Sequence, residues 1–174
     1  MGRILNLALL GAAAACGRGE EDGRAGLGQI AVQWTGTDSG RMTASATARW
    51  CAMDTLLEVV AVQGDSAFGL VLIALDSVRA AEYPVKDSRA FIPNRPQARV
   101  ALRLLKQYEL EGYDALGGQV TVTQGGSREV SGRLDVRLLP IVGADTLRLV
   151  GTFDRIPVAP AVGVCGRANK SGPG

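Results

Sequence analysis

Three observations predict an all-β domain, either an antiparallel β-sandwich or a closed β-barrel of about eight to ten strands. Apolar and polar residues alternate with period two through most of the chain. Clusters of Gly, Pro, Asn, Asp and Ser interrupt that alternation at short intervals. No long stretch after the first few residues keeps an unambiguous helical period. Strand numbers in this range let antiparallel domains close on themselves or pair two sheets, and so hide their edges.

The elements follow in order. Ile30, Val32 and Trp34 share one face of a strand, with Gln29, Gln33 and Thr35 on the other. Arg41 to Trp50 is the clearest alternation, placing Met42, Ala44, Ala46, Ala48 and Trp50 inward. Its inner face is mostly alanine, so whatever packs opposite must be bulky or close. Leu56 to Val62 and Phe68 to Leu75 are continuous apolar runs separated by Gln63-Gly64-Asp65-Ser66. That pattern predicts a hairpin of central strands covered on both faces. Ser77 to Val85 reads as a further strand, ended by the Pro- and charge-containing segment Pro84 to Pro96. Ala98 to Tyr108 carries both periods: Val100, Leu102 and Leu104 alternate, while Val100, Ala101, Leu104, Leu105 and Tyr108 also line one helical face. Strand is preferred because its neighbours are strands.

The C-terminal third is regular again. Val120 and Val122 alternate with Thr121 and Thr123, and Gly125-Gly126 predicts a two-residue turn. Val130, Gly132, Leu134, Val136 and Leu138 form the inner face of the return strand. A turn around Pro140 to Asp145 leads to Leu147, Leu149, Gly151 and Phe153. Glycine within a strand marks a bulge or a close backbone approach. Gly132 and Gly151, in strands joined by one turn, therefore predict a shared bend. The domain is expected to span residues 29–165, irregular after Pro157 and Pro160, with residues 166–174 as a disordered tail.

The N-terminus has a different grammar. Arg3 supplies a positive start, Ile4 to Leu10 are almost wholly apolar, and Ala12 to Ala15 lead into Cys16. This is the pattern of an export signal over residues 1–15. It is too short for a transmembrane helix, which needs roughly 20 apolar residues. Residues 16–28 are rich in glycine and charge and read as a flexible tether with an r.m.s. span of about 20 Å. Ala14-Ala15-Cys16 resembles the lipobox of bacterial lipoproteins, although Ala13 stands where that pattern usually has Leu. The resemblance implies that Cys16 is lipidated, becomes the new N-terminus and anchors the chain to a bacterial membrane. Gly17, where Asp would retain an enterobacterial lipoprotein, points to the outer membrane or a periplasm-facing location. Two other readings use the same residues: an ordinary A-x-A cleavage site at Ala13-Ala14-Ala15, or a buried helix of a cytosolic protein. Myristoylation is excluded because Asn6 stands where Ser or Thr is required.

Composition narrows the function classes. Removing residues 1–15 takes one of the 19 basic residues and none of the 17 acidic ones, leaving a net charge near +1. Nothing there calls for nucleic acid as a partner. Of three cysteines, Cys16 goes to the lipid, leaving Cys51 and Cys165 to form one disulfide in an oxidising envelope; two separate buried thiols are the alternative. Such a bridge closes a loop of more than 100 residues, worth about 4–5 kcal/mol in the chain-entropy treatment. With two thiols and no histidine, a zinc site is not expected.

A second resemblance rests on Gly117-Gly118-Gln119-Val120-Thr121-Val122-Thr123, Val130-Ser131-Gly132 and Val150-Gly151-Thr152-Phe153. These strings are similar to the C-terminal part of small uncharacterised bacterial lipoproteins built as a β-sandwich. They cover residues 117–154, under a quarter of the chain, and the resemblance implies no catalytic residues.

Histidine is absent, which removes Ser-His and Cys-His nucleophilic pairs and histidine acid–base work. Gly64-Asp65-Ser66 matches the start of a lipase-like motif but sits between two expected strands, where those residues make a turn. Glu109, Glu111 and Asp114, with Tyr108 and Tyr113, have the density of a Ca²⁺ site but no known spacing, and read as a solvated loop. Arg41, Arg49, Arg133, Arg137 and Arg148 are expected outward, interleaved with Glu129, Asp135 and Asp154. Trp34 and Trp50 are expected in the core. The expectation is a non-enzymatic, lipid-anchored envelope protein without cofactor or metal, whose β domain binds a protein, a glycan or a small apolar ligand. The alternative is an envelope hydrolase using paired Asp and Glu carboxylates.

Overall fold

The computed structural model describes residues 28–52, 54–87, 92, 95–106 and 109–159. The expected signal peptide, Cys16, most of the tether, Tyr108, Cys165 and the tail lie outside the described residues. The described chain forms nine strands and no helix: β1 (Gln29–Gly36), β2 (Gly40–Cys51), β3 (Leu56–Gln63), β4 (Ser66–Ile73), β5 (Ala81–Lys86), β6 (Gln97–Lys106), β7 (Glu109–Gln124), β8 (Glu129–Pro140) and β9 (Leu147–Ala159). They pair in the ring order β1-β2-β3-β4-β6-β5-β7-β8-β9, and β9 returns to β1. One sheet thus closes on itself, the second of the two expected architectures.

The pairing is mixed rather than wholly antiparallel, and both parallel contacts have a simple cause. β1 lies between β2 and β9, antiparallel to each, so those two run parallel to one another. Where β1 begins, β2 and β9 meet directly, Ala48 opposite Val158 and Arg49 opposite Ala159. At the other side, β6 and β7 form a hairpin through Lys106 opposite Glu109. Farther from that turn the hairpin splays and β5 enters between its arms, antiparallel to β7 and parallel to β6 at Val85 opposite Ala98.

One face of every strand fills the interior. Ile30, Val32, Met42, Leu57, Val59, Phe68, Leu70, Leu72, Val100, Leu102, Val120, Leu134, Val136, Leu149 and Phe153 belong to one continuous buried cluster. Trp34 joins it and Trp50 packs against it, as expected. The apolar runs of β3 and β4 are not covered on both faces. Their burial alternates, and Val60 and Val62 face outward, Val62 at 55% exposure. A single closed sheet has no outer layer, so their outer side chains meet solvent.

Three bulges re-aim two strands. In β7 the pairing with β8 slips between Ala115 and Gly117, leaving Leu116 as the extra residue. Before it Tyr113 and Ala115 point inward; after it Val120 and Val122 do, so the parity of the strand inverts. This bulge lies where β7 exchanges β6 for β5 as its neighbour. A second shift in β7 falls between Val122 and Gln124. In β9, Asp154 and Arg155 together oppose Ser131, and Arg155 takes a positive φ of 45°. The Ser131 hydroxyl accepts a hydrogen bond from the Arg155 amide at 2.8 Å, satisfying the donor that the bulge removes from the ladder. The bend expected near Gly132 is therefore present. A Cβ at Gly132 would stand 2.3 Å from the Thr121 carbonyl oxygen and 2.5 Å from the Phe153 ring, and one at Gly151 would stand 2.5 Å from the Ala31 carbonyl oxygen.

Other boundaries moved. The strand expected over Ser77 to Val85 is shorter, beginning at Ala81, because Asp76, Ser77 and Arg79 close a side-chain hydrogen-bonded turn first. Gly125 and Gly126 are not a two-residue turn but the first half of a four-residue loop. Gly125 is required there by close approach, since a Cβ would lie 2.6 Å from the Val78 carbonyl oxygen. The strand reading of 98–108 holds over 98–106 in β6, the last two positions lying outside the described residues, and β9 continues through Pro157 rather than ending there.

Candidate functional site

The interior is occupied by side chains, so concave surface has to be sought on the outside. A hollow of about 800 Å³ lies on the outer face of β5, β7, β8, β9, β1 and β2. Its lining falls into two adjacent rows of the pleat. One row runs Arg41, Gln33, Val150, Asp135, Gln119 across five strands; the next runs Thr43, Ala31, Thr152, Arg133, Thr121, Glu82 across six. Small residues make the floor: Ala31 lies in the outward phase of β1 yet is only 5% exposed, beside Gly151 and Thr152. Long side chains on the flanking strands make the walls. The trough thus follows from residue size along two rows, on a sheet bent by its bulges.

Its polarity is of a definite kind. Arg148 donates to Asp135 twice, Nε to Oδ1 at 3.0 Å and a terminal guanidinium nitrogen to Oδ2 at 2.7 Å. Those hydrogen bonds hold the Asp135 carboxyl below the usual carboxylate range. Arg41 and Arg133 have neither a hydrogen bond nor an ion pair to any described side chain. Gln33, Gln119, Thr43 and Thr121 add amides and hydroxyls able both to donate and to accept.

A second cluster caps the end of the ring that carries the β1–β2 and β6–β7 turns. Lys106 Nζ lies 2.8 Å from Glu111 Oε2, 3.2 Å from Asp38 Oδ2 and 3.0 Å from the Tyr113 hydroxyl, which itself donates to Glu111. Burial opposes the charge on Lys106, but hydrogen bonds with Glu111, Tyr113 and Asp38 outweigh it and raise its pKa. Hydrogen bonds from Lys106, then from Tyr113, lower that of Glu111. Asp38 is raised by burial and lowered further by Lys106, the Ser39 amide and Trp34, for a net decrease. Burial is also the first cause of the raised Tyr113 hydroxyl.

The sign of the pH dependence follows. The two lowered carboxyls stabilise the fold above their unfolded values, and that contribution is lost as pH falls through their folded values, below about pH 4. The raised lysine contributes fully below its unfolded value near 10.5 and loses it as pH rises beyond. Urea midpoints of the protein and of Lys106→Met should therefore differ by a constant amount across neutral pH and converge in acid. A difference that persists unchanged at pH 2.5 would show that Lys106 acts through packing instead.

The residues singled out in the sequence are only partly brought together. Arg41 and Arg133 enter the trough, with Arg148 at its border through Asp135; Arg137 stands opposite Arg148, and Arg49 pairs with Glu58 on another part of the surface. The segment of Glu109, Glu111 and Asp114 is not a loop but the start of β7, and Glu111 and Asp114 lie on opposite faces of it. No group of three or more metal-binding side chains occurs among the described residues. Gly64 and Asp65 form the β3–β4 turn, as expected. Lys106 was given no role in the sequence reading, and Gln33, Thr43 and Thr121 were placed outward without one. The alternation marked those positions as outward, but only the register across six strands sets them side by side.

These features define the class: a closed, nine-stranded β domain with a filled interior and a polar trough on its outer wall. No family model, no curated protein and no solved structure matches the chain.

Proposed function

We propose that the chain is a lipid-anchored bacterial envelope protein whose β domain acts by binding, not catalysis. The observation that carries this reading is the pairing of a solid interior with a broad, side-chain-lined outer trough. Buried side chains occupy the inner face of the strands, so the reading assigns recognition to the outer wall. The described chain enters at Gly28 and leaves at Ala159 at the same end of the ring, since Gly28 bonds Asp154 and Ala46 and Ala159 pairs with Arg49. A tether at that end would leave the side wall clear of a membrane. The hydrolase alternative draws less support: it needs one carboxyl held protonated, and Asp38, Glu111 and Asp135 are all lowered.

The Cys51–Cys165 bridge belongs to the same proposal. Cys51 is fully buried at the end of β2. The parallel register sets Ala159 beside Arg49, two residues before Cys51, with the chain directed along β2 toward it. Six residues span at most about 20 Å, so Cys165 is within reach of Cys51.

Mass spectrometry of the mature N-terminal peptide tests the anchor. The expected product begins at Cys16 and carries a diacylglyceryl group; an intact chain beginning at Met1 in the soluble fraction would overturn the reading. Non-reducing peptide mapping should recover Cys51 and Cys165 in one linked pair.

A further inference from the structure

We propose that the outer trough binds an extended, carboxylate-bearing polysaccharide laid across the strands, with Arg41 and Arg133 each holding a carboxylate. This deepens the binding role proposed above and rests on it, and three observations lead to it. The first is charge. Of the four ionic side chains lining the trough, Asp135 is already occupied by Arg148 and Glu82 stands at the β5 end, two strands beyond Arg133, while Arg41 and Arg133 have no partner among the described residues, which leaves the trough net positive. A planar guanidinium is suited to bidentate pairing with a carboxylate.

The second is spacing. The rows run perpendicular to the strands and present one side chain about every 4.8 Å, close to the length of a pyranose unit in an extended chain. Arg41 on β2 and Arg133 on β8 are three strand intervals and one row apart, roughly 16 Å, so anionic units about three residues apart along one chain can meet both. An extended peptide presents its like-facing side chains about every 6.7 Å and falls out of step with these rows. The ring also offers the trough no open sheet edge, so a peptide cannot add as a strand there.

The third is the chemistry around the arginines, with Gln33 between them, Thr43 beside Arg41, and Gln119 and Thr121 beyond Arg133. Gln33, Gln119, Thr43 and Thr121 can both donate to and accept from sugar hydroxyls, over a floor of Ala31 and Gly151 low enough to admit a ring. The lining has no aromatic side chain, so affinity has to come from hydrogen bonds and charge rather than stacking.

The experiment is calorimetric titration of the purified protein with hexagalacturonate, with maltohexaose as the uncharged comparison and hexaglutamate as the acidic peptide. Hexagalacturonate should bind, maltohexaose at least tenfold more weakly, and added salt should weaken the acidic ligand. Arg41→Gln and Arg133→Gln should each reduce affinity about tenfold, as expected for losing a hydrogen bond to a charged group. Both side chains are exposed, so the fold should tolerate the changes, and Arg103→Gln on β6 should leave binding unaltered. No binding at millimolar hexagalacturonate, indifference to both arginine changes, or equal binding of hexaglutamate would each overturn the proposal. None of those results bears on whether Cys16 is lipidated, so the two readings fail separately.

Discussion

Replacing Gly118 by alanine should cost about 3 kcal/mol or more, whereas the same change at its neighbour Gly117 should be tolerated. The two residues look equivalent in the sequence. Gly118 has a φ of 121°, a region L-residues rarely enter, and a Cβ there would stand 2.3 Å from the Asp135 carbonyl oxygen and 2.6 Å from the Val136 Cα. Neither obstacle is a flexible side chain, so strain of about 1–3 kcal/mol adds to a similar cost of overpacking. Around Gly117 nothing lies within 4 Å of a Cβ, and its φ is not positive. Gly117→Ala should therefore change stability by less than about 1 kcal/mol, on the stabilising side, through a more restricted unfolded chain. Urea denaturation followed by circular dichroism compares them directly. Equal responses at the two positions would overturn the close approach of β8 to Gly118.

The second large effect is expected at Phe153. Its ring is 1% exposed and occupies the space over Gly132, on the paired residue of β8. An aromatic ring laid over a strand glycine restores packing that the missing side chain forfeits. Phe153→Ala should lose about 3–5 kcal/mol, and Phe153→Leu distinctly less. A double-mutant cycle sharpens the test. Gly132→Ala meets both the Phe153 ring and the Thr121 carbonyl oxygen, and truncating Phe153 removes only the first obstacle. The penalty of Gly132→Ala should shrink in the Phe153→Ala background but not vanish. Full additivity would place the ring elsewhere.

Much of the β architecture was legible in the order of residues. Alternation marked β1, β2, β8 and most of β9, and paired glycines marked the bend near Gly132. What misled was a change of phase within a single strand. β7 reads inward at Tyr113 and Ala115, then at Val120 and Val122, because Leu116 is an extra residue. A two-residue period cannot survive that insertion, so its first half looked like an acidic loop. The apolar runs of β3 and β4 misled differently: sequence reports hydrophobicity, not whether a second layer exists to cover it.

The trough illustrates the same division. Arg41 and Arg133 were recognisable as outward arginines, but they lie far apart in the chain and are ordinary strand residues when read alone. Their joint presence on one hollow depends on the registers of β2 with β1, β1 with β9 and β9 with β8. By itself, the order of amino acids determined an all-β domain, which side of most strands faces inward, and the absence of histidine chemistry. Ring closure, strand order and the neighbouring rows of the trough were decided only by tertiary structure. Local alternation is a property of each strand, whereas register and closure come from pairing between segments that the chain itself does not adjoin.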